Sequence, residues 1–249
     1  MINKLNILCV CLLLNSLAST GVAQQSSQRR TPLTRVQIKD TERQLANMGY
    51  WTGVVDGVLD PATQTAVIAF QKWEGRPVNG KLTLEEIEAI KTSAAPMPRE
   101  TGYEHVEVDI DRQVLLIVDA EGGLKILPVA TGTNKPFVYD GQTSIAYTPR
   151  GRFVVYEKGV GWDPEAPRAM YYSNYISGGI AIHGSPKVPI QPASQGCIRV
   201  PMFAAREVSR MLKLGTIVLV YDKVSFVSGR SWAENPKLKE AALANAAQN

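Results

Sequence analysis

The chain has 249 residues, 45% of them hydrophobic and 20% charged, with a formal net charge of +4. That length holds one large domain or two modest ones, and the balance is that of a globular protein, not a disordered segment or a membrane bundle. The charge is too small to supply the basic stripe that nucleic-acid binding needs, although it would not hinder contact with an acidic polymer.

Lys4 precedes an apolar run over residues 7–17, which gives way to small residues and Gly21-Val22-Ala23. A charged start, a short apolar core and small residues at the cleavage position describe a secretory signal over residues 1–23, cut after Ala23. An uncleaved anchor is the alternative, but the run falls short of the roughly 20 apolar residues that span a bilayer. No stable membrane insertion is therefore expected after cleavage, and the periplasm or the cell wall is the expected location. Cys9 and Cys11 lie inside the apolar core, so cleavage leaves Cys197 as the sole cysteine. Exported proteins pair their thiols or dispense with them. A lone thiol in the polar turn Ser194-Gln195-Gly196-Cys197 therefore reads as reactive, against the default of an inert core cysteine.

Residues 24–34 form a polar lead-in. Ile38, Leu45 and Met48 recur near helical spacing over residues 36–48, and Gly49 stops that helix. Residues 50–59, with Gly53 and the Asp56-Gly57 turn, read as a loop. Asp60 as N-cap and Pro61 at the first helical position open a second helix. It carries Ala66, Phe70 and Trp73 on one face and ends at Gly75. Thr83 with Glu86 fits a capping box, and Leu82 with Ile87 a hydrophobic staple, for a third helix ending near Lys91. Three short helices make a thin-cored bundle suited to binding, with no catalytic constellation. Residues 35–93 resemble the three-helix peptidoglycan-binding domain through Gln44-Leu45, Gly49-Tyr50, Val55-Asp56-Gly57, Thr63, Ala66-Val67, Phe70-Gln71 and Val78-Asn79-Gly80. Asp60 stands where that family usually has glycine. The resemblance implies that peptidoglycan is the partner, and that the unit raises the local concentration of stems at a second, catalytic domain.

Residues 94–102, with Pro96 and Pro98, read as a linker. Beyond it the period changes to two. Val106, Val108 and Ile110 alternate with charged residues, and residues 114–118 and 124–130 flank the turn Glu121-Gly122-Gly123 as a hairpin. Residues 153–155, 180–182 and 216–221 continue the strand character, interrupted by a helix over residues 202–214 that Gly215 ends. Residues 103–222 are thus expected to be mostly sheet, a sandwich or a partly closed barrel, and the whole chain α+β. The tail, residues 223–249, is polar and is assigned no function.

The strand Ile180-Ala181-Ile182 would deliver His183 to a sheet edge, and the following loop would return Cys197 beside it. Thiolate is the attacking species, and an imidazole within reach can take the thiol proton and return one to a leaving amine. Gly196 would let the backbone approach a substrate closely, and the Gly196 and Cys197 N–H groups would hold an oxyanion. Arg199 alternates to the side of Cys197 and reads equally as a bidentate carboxylate clamp or a surface ion pair. His105, on an alternating strand, reads as structural. Two histidines and one cysteine offer no familiar zinc set, and no G-x-S-x-G elbow is present. Trp162, Tyr171, Tyr172 and Tyr175 read either as a flap over the substrate or as aromatic packing on a sheet.

His183-Gly184-Ser185 followed by Ser194-Gln195-Gly196-Cys197-Ile198-Arg199 resembles the signature of the L,D-transpeptidase (YkuD-type) family. Thr148-Pro149, Gly151, Phe153, Gly215-Thr216 and Val218 match its flanking elements. The resemblance implies Cys197 as nucleophile, His183 as general acid/base, and Gly184, Ser185, Ser194, Gln195 and Arg199 against the substrate, with no cofactor. The donor would be a peptidoglycan tetrapeptide stem that loses its terminal D-Ala, and the amine of a second stem would resolve the thioester. Transfer to water, as an L,D-carboxypeptidase or amidase, is the nearest alternative, and a non-catalytic wall-binding protein is the alternative of another class. Two positions depart from the pattern: Gln195 replaces the usual histidine, and Ala204 a common aspartate.

Overall fold

The computed structural model describes residues 32–163 and 169–225, so the expected signal and most of the lead-in and of the tail lie outside them. Helix α1, Arg35–Asn47, opens at Thr34, whose hydroxyl accepts the Gln37 N–H while the Gln37 side chain accepts the Thr34 N–H. This is a complete capping box that the sequence reading missed. Helix α2, Pro61–Trp73, opens at Asp60, whose carboxylate accepts the Thr63 N–H at 2.8 Å. Helix α3, Leu84–Thr92, has only half of the box expected for it. Thr83 accepts the Glu86 N–H, but the Glu86 carboxylate turns to the Arg76 guanidinium at 3.0 Å. A charge-assisted partner outcompetes a backbone amide for that carboxylate.

Glu42 of α1 is fully buried and accepts the Gly57 N–H at 2.8 Å and the Thr63 hydroxyl at 2.7 Å. It ties the Asp56-Gly57 turn to the two helices.

Twelve short strands follow among the described residues. One sheet runs in the order β3 (Leu124–Pro128), β2 (Val114–Val118), β1 (His105–Asp109), β12 (Ile217–Tyr221), β6 (Gly151–Val154). A second runs β11 (Ile198–Pro201), β10 (Ile180–Ser185), β9 (Met170–Ser177), β7 (Glu157–Lys158), with β8 (Trp162–Asp163) paired to β9. A separate hairpin joins β4 (Pro136–Tyr139) to β5 (Gln142–Ile145). The domain is a sandwich of open sheets. The helix expected over residues 202–214 is shorter: a 3-10 turn, Met202–Ala204, leads into α4, Ala205–Met211. Its N-cap, Ala204, offers no side-chain acceptor to the first turn, a deficit of about 1 kcal/mol relative to an aspartate or serine cap.

Two cores flank the first sheet. Val106, Val108, Leu115, Leu127, Val218 and Val220 pack with Ile182, Ile198 and Val200 of the second sheet and with Val208 and Leu212 of the α4 region. The opposite face presents Val114, Leu116, Val118 and Ile126 to Leu45, Phe70, Ile87 and Ile90 of the helices. The helical unit therefore does not close its core alone. It completes it on β2 and β3, where each large side chain removed from water is worth about 1.5–3 kcal/mol. The seam is also hydrogen-bonded: Ile126 donates to Gly49 and accepts from the Trp51 N–H, at 2.8 and 3.0 Å. Gly49, at φ +93°, permits that approach, since a Cβ there would sit 2.6 Å from the Leu124 Cβ.

The alternation in β1 does not place its polar residues in solvent. All five residues are buried, and Glu107 accepts from His105, the Tyr221 hydroxyl and the Glu100 N–H. His105 also contacts the Tyr103 carbonyl at 2.9 Å and stacks on the Tyr103 ring. It is a satisfied core histidine.

Candidate active site

Strands β10 and β11 pair in parallel, with Ile182 opposite Ile198 and His183 opposite Arg199. Alternation sends Ile182, Ile198 and Val200 into the core. His183 and Arg199 take the other face, and Cys197, two residues before Arg199, joins them. All three line one cavity of about 270 Å³. The thiol is half-buried, with its sulfur 3.6 Å from the Gly179 carbonyl and 3.9 Å from the Met170 sulfur.

A bulge sets the histidine. Between the pairs Ile182–Asn174 and Gly184–Tyr171, β9 carries one more residue than β10. Tyr172, inside the bulge, has φ +51°. Asn174 fastens it, donating to the Tyr172 and Ile182 carbonyls while its own oxygen accepts the Ser209 hydroxyl from α4. Bulges of this kind re-aim side chains beside functional sites.

His183 is buried, and its Nδ1 lies 2.9 Å from the Gly184 carbonyl. A carbonyl only accepts, so Nδ1 carries the proton and Nε2 is left as the acceptor. Burial pushes the His183 pKa down, the Gly184 carbonyl pulls it back and the nearby Arg199 charge lowers it further. Burial pushes the Cys197 thiol up, opposed by the Ala181 N–H, the Arg199 charge and the Cys197 N–H itself. Both net shifts favour thiol and neutral imidazole over a thiolate–imidazolium pair.

The expected site residues divide. Ser185, Ser194 and Gln195 line the cavity with His183, Cys197 and Arg199. Ser185 closes a local turn on Lys187, and Gln195 makes no side-chain hydrogen bond among the described residues. Gly184 faces away: a Cβ there would stand 2.4 Å from the Ala205 Cβ, so its role is to admit α4. Gly196 is held by hydrogen bonds on both sides. Its N–H is spent on the Ser194 hydroxyl at 3.0 Å and its carbonyl accepts the Thr148 hydroxyl at 2.7 Å. The donor expected for an oxyanion is therefore engaged in holding the loop. Gly196 is still required as glycine, since at φ +145° a Cβ would meet Ile180 Cδ1 at 2.6 Å and the Tyr147 carbonyl at 2.8 Å.

Trp162, Tyr171, Tyr172 and Tyr175 do not line the cavity. Trp162 packs on Tyr171 and Tyr171 edges onto Tyr172, while the Tyr175 hydroxyl donates to Asp163. The aromatic cover comes from Phe137 and Tyr139, on one face of the β4–β5 hairpin. The two-residue turn Asp140-Gly141 was its sequence signal.

Residues 103–220 match the family model of the L,D-transpeptidase (YkuD) catalytic domain, and residues 34–90 that of a peptidoglycan binding domain. Among solved structures, the L,D-transpeptidase of Xylanimonas cellulosilytica is 34% identical, with a TM-score of 0.69 over 74% of this chain and 93% of that one. An L,D-transpeptidase from Stackebrandtia nassauensis is 22% identical, with a TM-score of 0.43 over 74% of this chain and 89% of that one. No curated protein matches. The 34% identity over 74% of this chain and the two family-model matches together place this chain in the L,D-transpeptidase family, with a YkuD-type catalytic domain and a peptidoglycan-binding unit ahead of it.

Proposed function

We propose that the protein cross-links peptidoglycan through a thioester on Cys197. The supporting observation is the β10–β11 register, which sets His183 beside Arg199 with Cys197 on the same face. His183 Nε2 takes the thiol proton as sulfur attacks the carbonyl of the bond that holds the terminal D-Ala of a tetrapeptide stem. The C–S bond forms, the tetrahedral oxyanion is met by the Cys197 N–H and the Arg199 charge, and collapse breaks the C–N bond. The imidazolium returns its proton to the departing D-Ala amine. The amine of a second stem then attacks the thioester, His183 accepts its proton, and the thiol is restored. Phe137, Tyr139, Met170 and Ile180 wall the cavity with apolar surface, which favours an amine acceptor over water. The proposal includes export with cleavage after Ala23 and action on the wall from the periplasm.

The test is intact-mass detection of the acyl adduct after incubation with a tetrapeptide donor, mapped to Cys197. No adduct with intact donor refutes the reading. Adding an acceptor stem and finding only hydrolysed donor would assign a carboxypeptidase instead.

A further inference from the structure

Lys72 projects from α2 into the seam between the helical unit and the first sheet. It is only 6% exposed, and its amine donates to the Val129 carbonyl at 2.9 Å and the Gln113 carbonyl at 3.2 Å. No ion pair is found for it among the described residues. A buried ammonium without a carboxylate is costly, and a methionine would fill the same volume without that cost. What a lysine adds is a pair of donors aimed at two backbone carbonyls.

Those carbonyls belong to the support of the Cys197 loop. Gln113, buried and at φ +55°, receives the Thr131 N–H at 2.9 Å and donates to the Thr131 hydroxyl at 2.6 Å. The Thr131 carbonyl accepts both the Ala193 and Ser194 N–H groups at 2.9 Å. Ala130 pairs in both directions with Arg199, at 3.0 and 3.2 Å. Gly132 donates its N–H to the Thr148 hydroxyl oxygen, and that same hydroxyl donates to the Gly196 carbonyl. Residues 130–132 thus hold the loop at 193–194, at 196 and at 199, on both sides of Cys197.

We propose that Lys72 is a positioning residue for the Cys197 loop, so that the helical unit presets the nucleophile as well as bringing it to the wall. Burial pushes the Lys72 pKa down to about 7. Both the ammonium and the amine keep at least two N–H hydrogens, so the two carbonyl contacts survive either state. The inference rests on Cys197 being the nucleophile, as proposed above.

The experiment measures single-turnover acylation of the purified protein by a tetrapeptide donor, across donor concentrations, alongside alkylation of Cys197 by iodoacetamide. The variants are Lys72→Met, which removes the donors, and Thr131→Val, which removes only the Gln113-to-hydroxyl link inside the catalytic domain. The saturating acylation rate should fall about tenfold or more, because small misplacements of reacting groups carry large costs. The half-saturating donor concentration and the iodoacetamide rate should stay within twofold of wild type. A folded Lys72→Met protein with a saturating rate within twofold of wild type overturns the proposal. So does a parallel rise in alkylation, which would mark general loss of structure exposing the half-buried thiol. If Lys72→Met does not fold, Thr131→Val decides by the same criteria. A wild type that forms no adduct refutes the nucleophile assignment itself, a different result from wild type and variants acylating alike.

Discussion

Removing Lys72 should change how stability depends on pH. Burial takes this lysine from an ordinary value of 10.5 to about 7 in the folded state. Between those values the unfolded chain holds a proton that the folded chain has released, so stability rises with pH across the window. Below about pH 7 both states are protonated, the slope vanishes, and the cost of the buried charge is borne in full. From pH 7 to pH 10 the gain is about 3 pH units at 1.36 kcal/mol each, or about 4 kcal/mol. That is a large share of the typical 5–15 kcal/mol of a domain. The assay is urea unfolding at intervals from pH 6 to pH 10 on wild type and Lys72→Met, read as the difference between the proteins. The difference matters because buried Tyr50, Tyr103 and Tyr221 are pushed up and Cys197 is raised. These acids lose stability as pH rises through the ordinary range of their unfolded forms, but they do so in both proteins. Wild type should gain about 4 kcal/mol on the variant over the window. Equal slopes would refute the buried, charge-penalised amine.

Other outcomes follow from the site. With His183 lowered and Cys197 raised, iodoacetamide alkylation should stay slow at neutral pH and climb only above the ordinary thiol value; an inflection below pH 8 would show a preformed thiolate instead. Donor acylation should hold down to pH 6.5 and fall only below it, as the imidazole protonates. Gly196→Ala should destabilise by about 3 kcal/mol from the left-handed backbone and the contacts with Ile180 and Tyr147, and acylation should be lost; an unchanged melting temperature would refute the steric account. Phe137→Ala with Tyr139→Ala should shorten the lifetime of the Cys197 adduct in water several-fold, measured by intact mass over time, without changing the fold; an unchanged lifetime would remove the hairpin as a shield.

The site was legible because its signals are local. A strand carrying His183, a polar turn and the Cys197 thiol lie within one short stretch, and the Asp60 cap behaves as its chemistry dictates, whereas the helix expected to run to Gly215 already ends at Met211. What escaped depends on contacts far apart in sequence. Glu107 and Asp109 looked like the solvent side of an alternating strand, but β1 is central in its sheet and finds Tyr221 and Arg112 as partners. Glu86 looked like a capping partner until Arg76 stood beside it. Lys72 carries no signal in the sequence, because nothing in α2 reveals that β2 and β3 cover that face. The Gly196 N–H, expected to face an oxyanion, meets the serine two residues earlier, which folds back to accept that hydrogen.

That last point bears on how the loop works. Ser194 accepts from Gly196 and donates to the Cys197 carbonyl, while Thr148 takes the Gly196 carbonyl from the other side. The peptide groups flanking the thiol are therefore fixed before any substrate arrives. A rigid loop suits a neutral thiol–imidazole pair: with no ion pair to draw the two groups together, geometry has to be imposed by the backbone. In the proposed mechanism Arg199 then serves both ends of the reaction. Its charge lowers the His183 pKa, which keeps the base unprotonated, and lowers the Cys197 pKa, which eases the thiolate that forms on attack. An acid at this position would raise both and work against each step. The uncharged amide of Gln195 leaves that balance to Arg199 alone, whereas a histidine there would add a second charge to the cavity whenever it took up a proton.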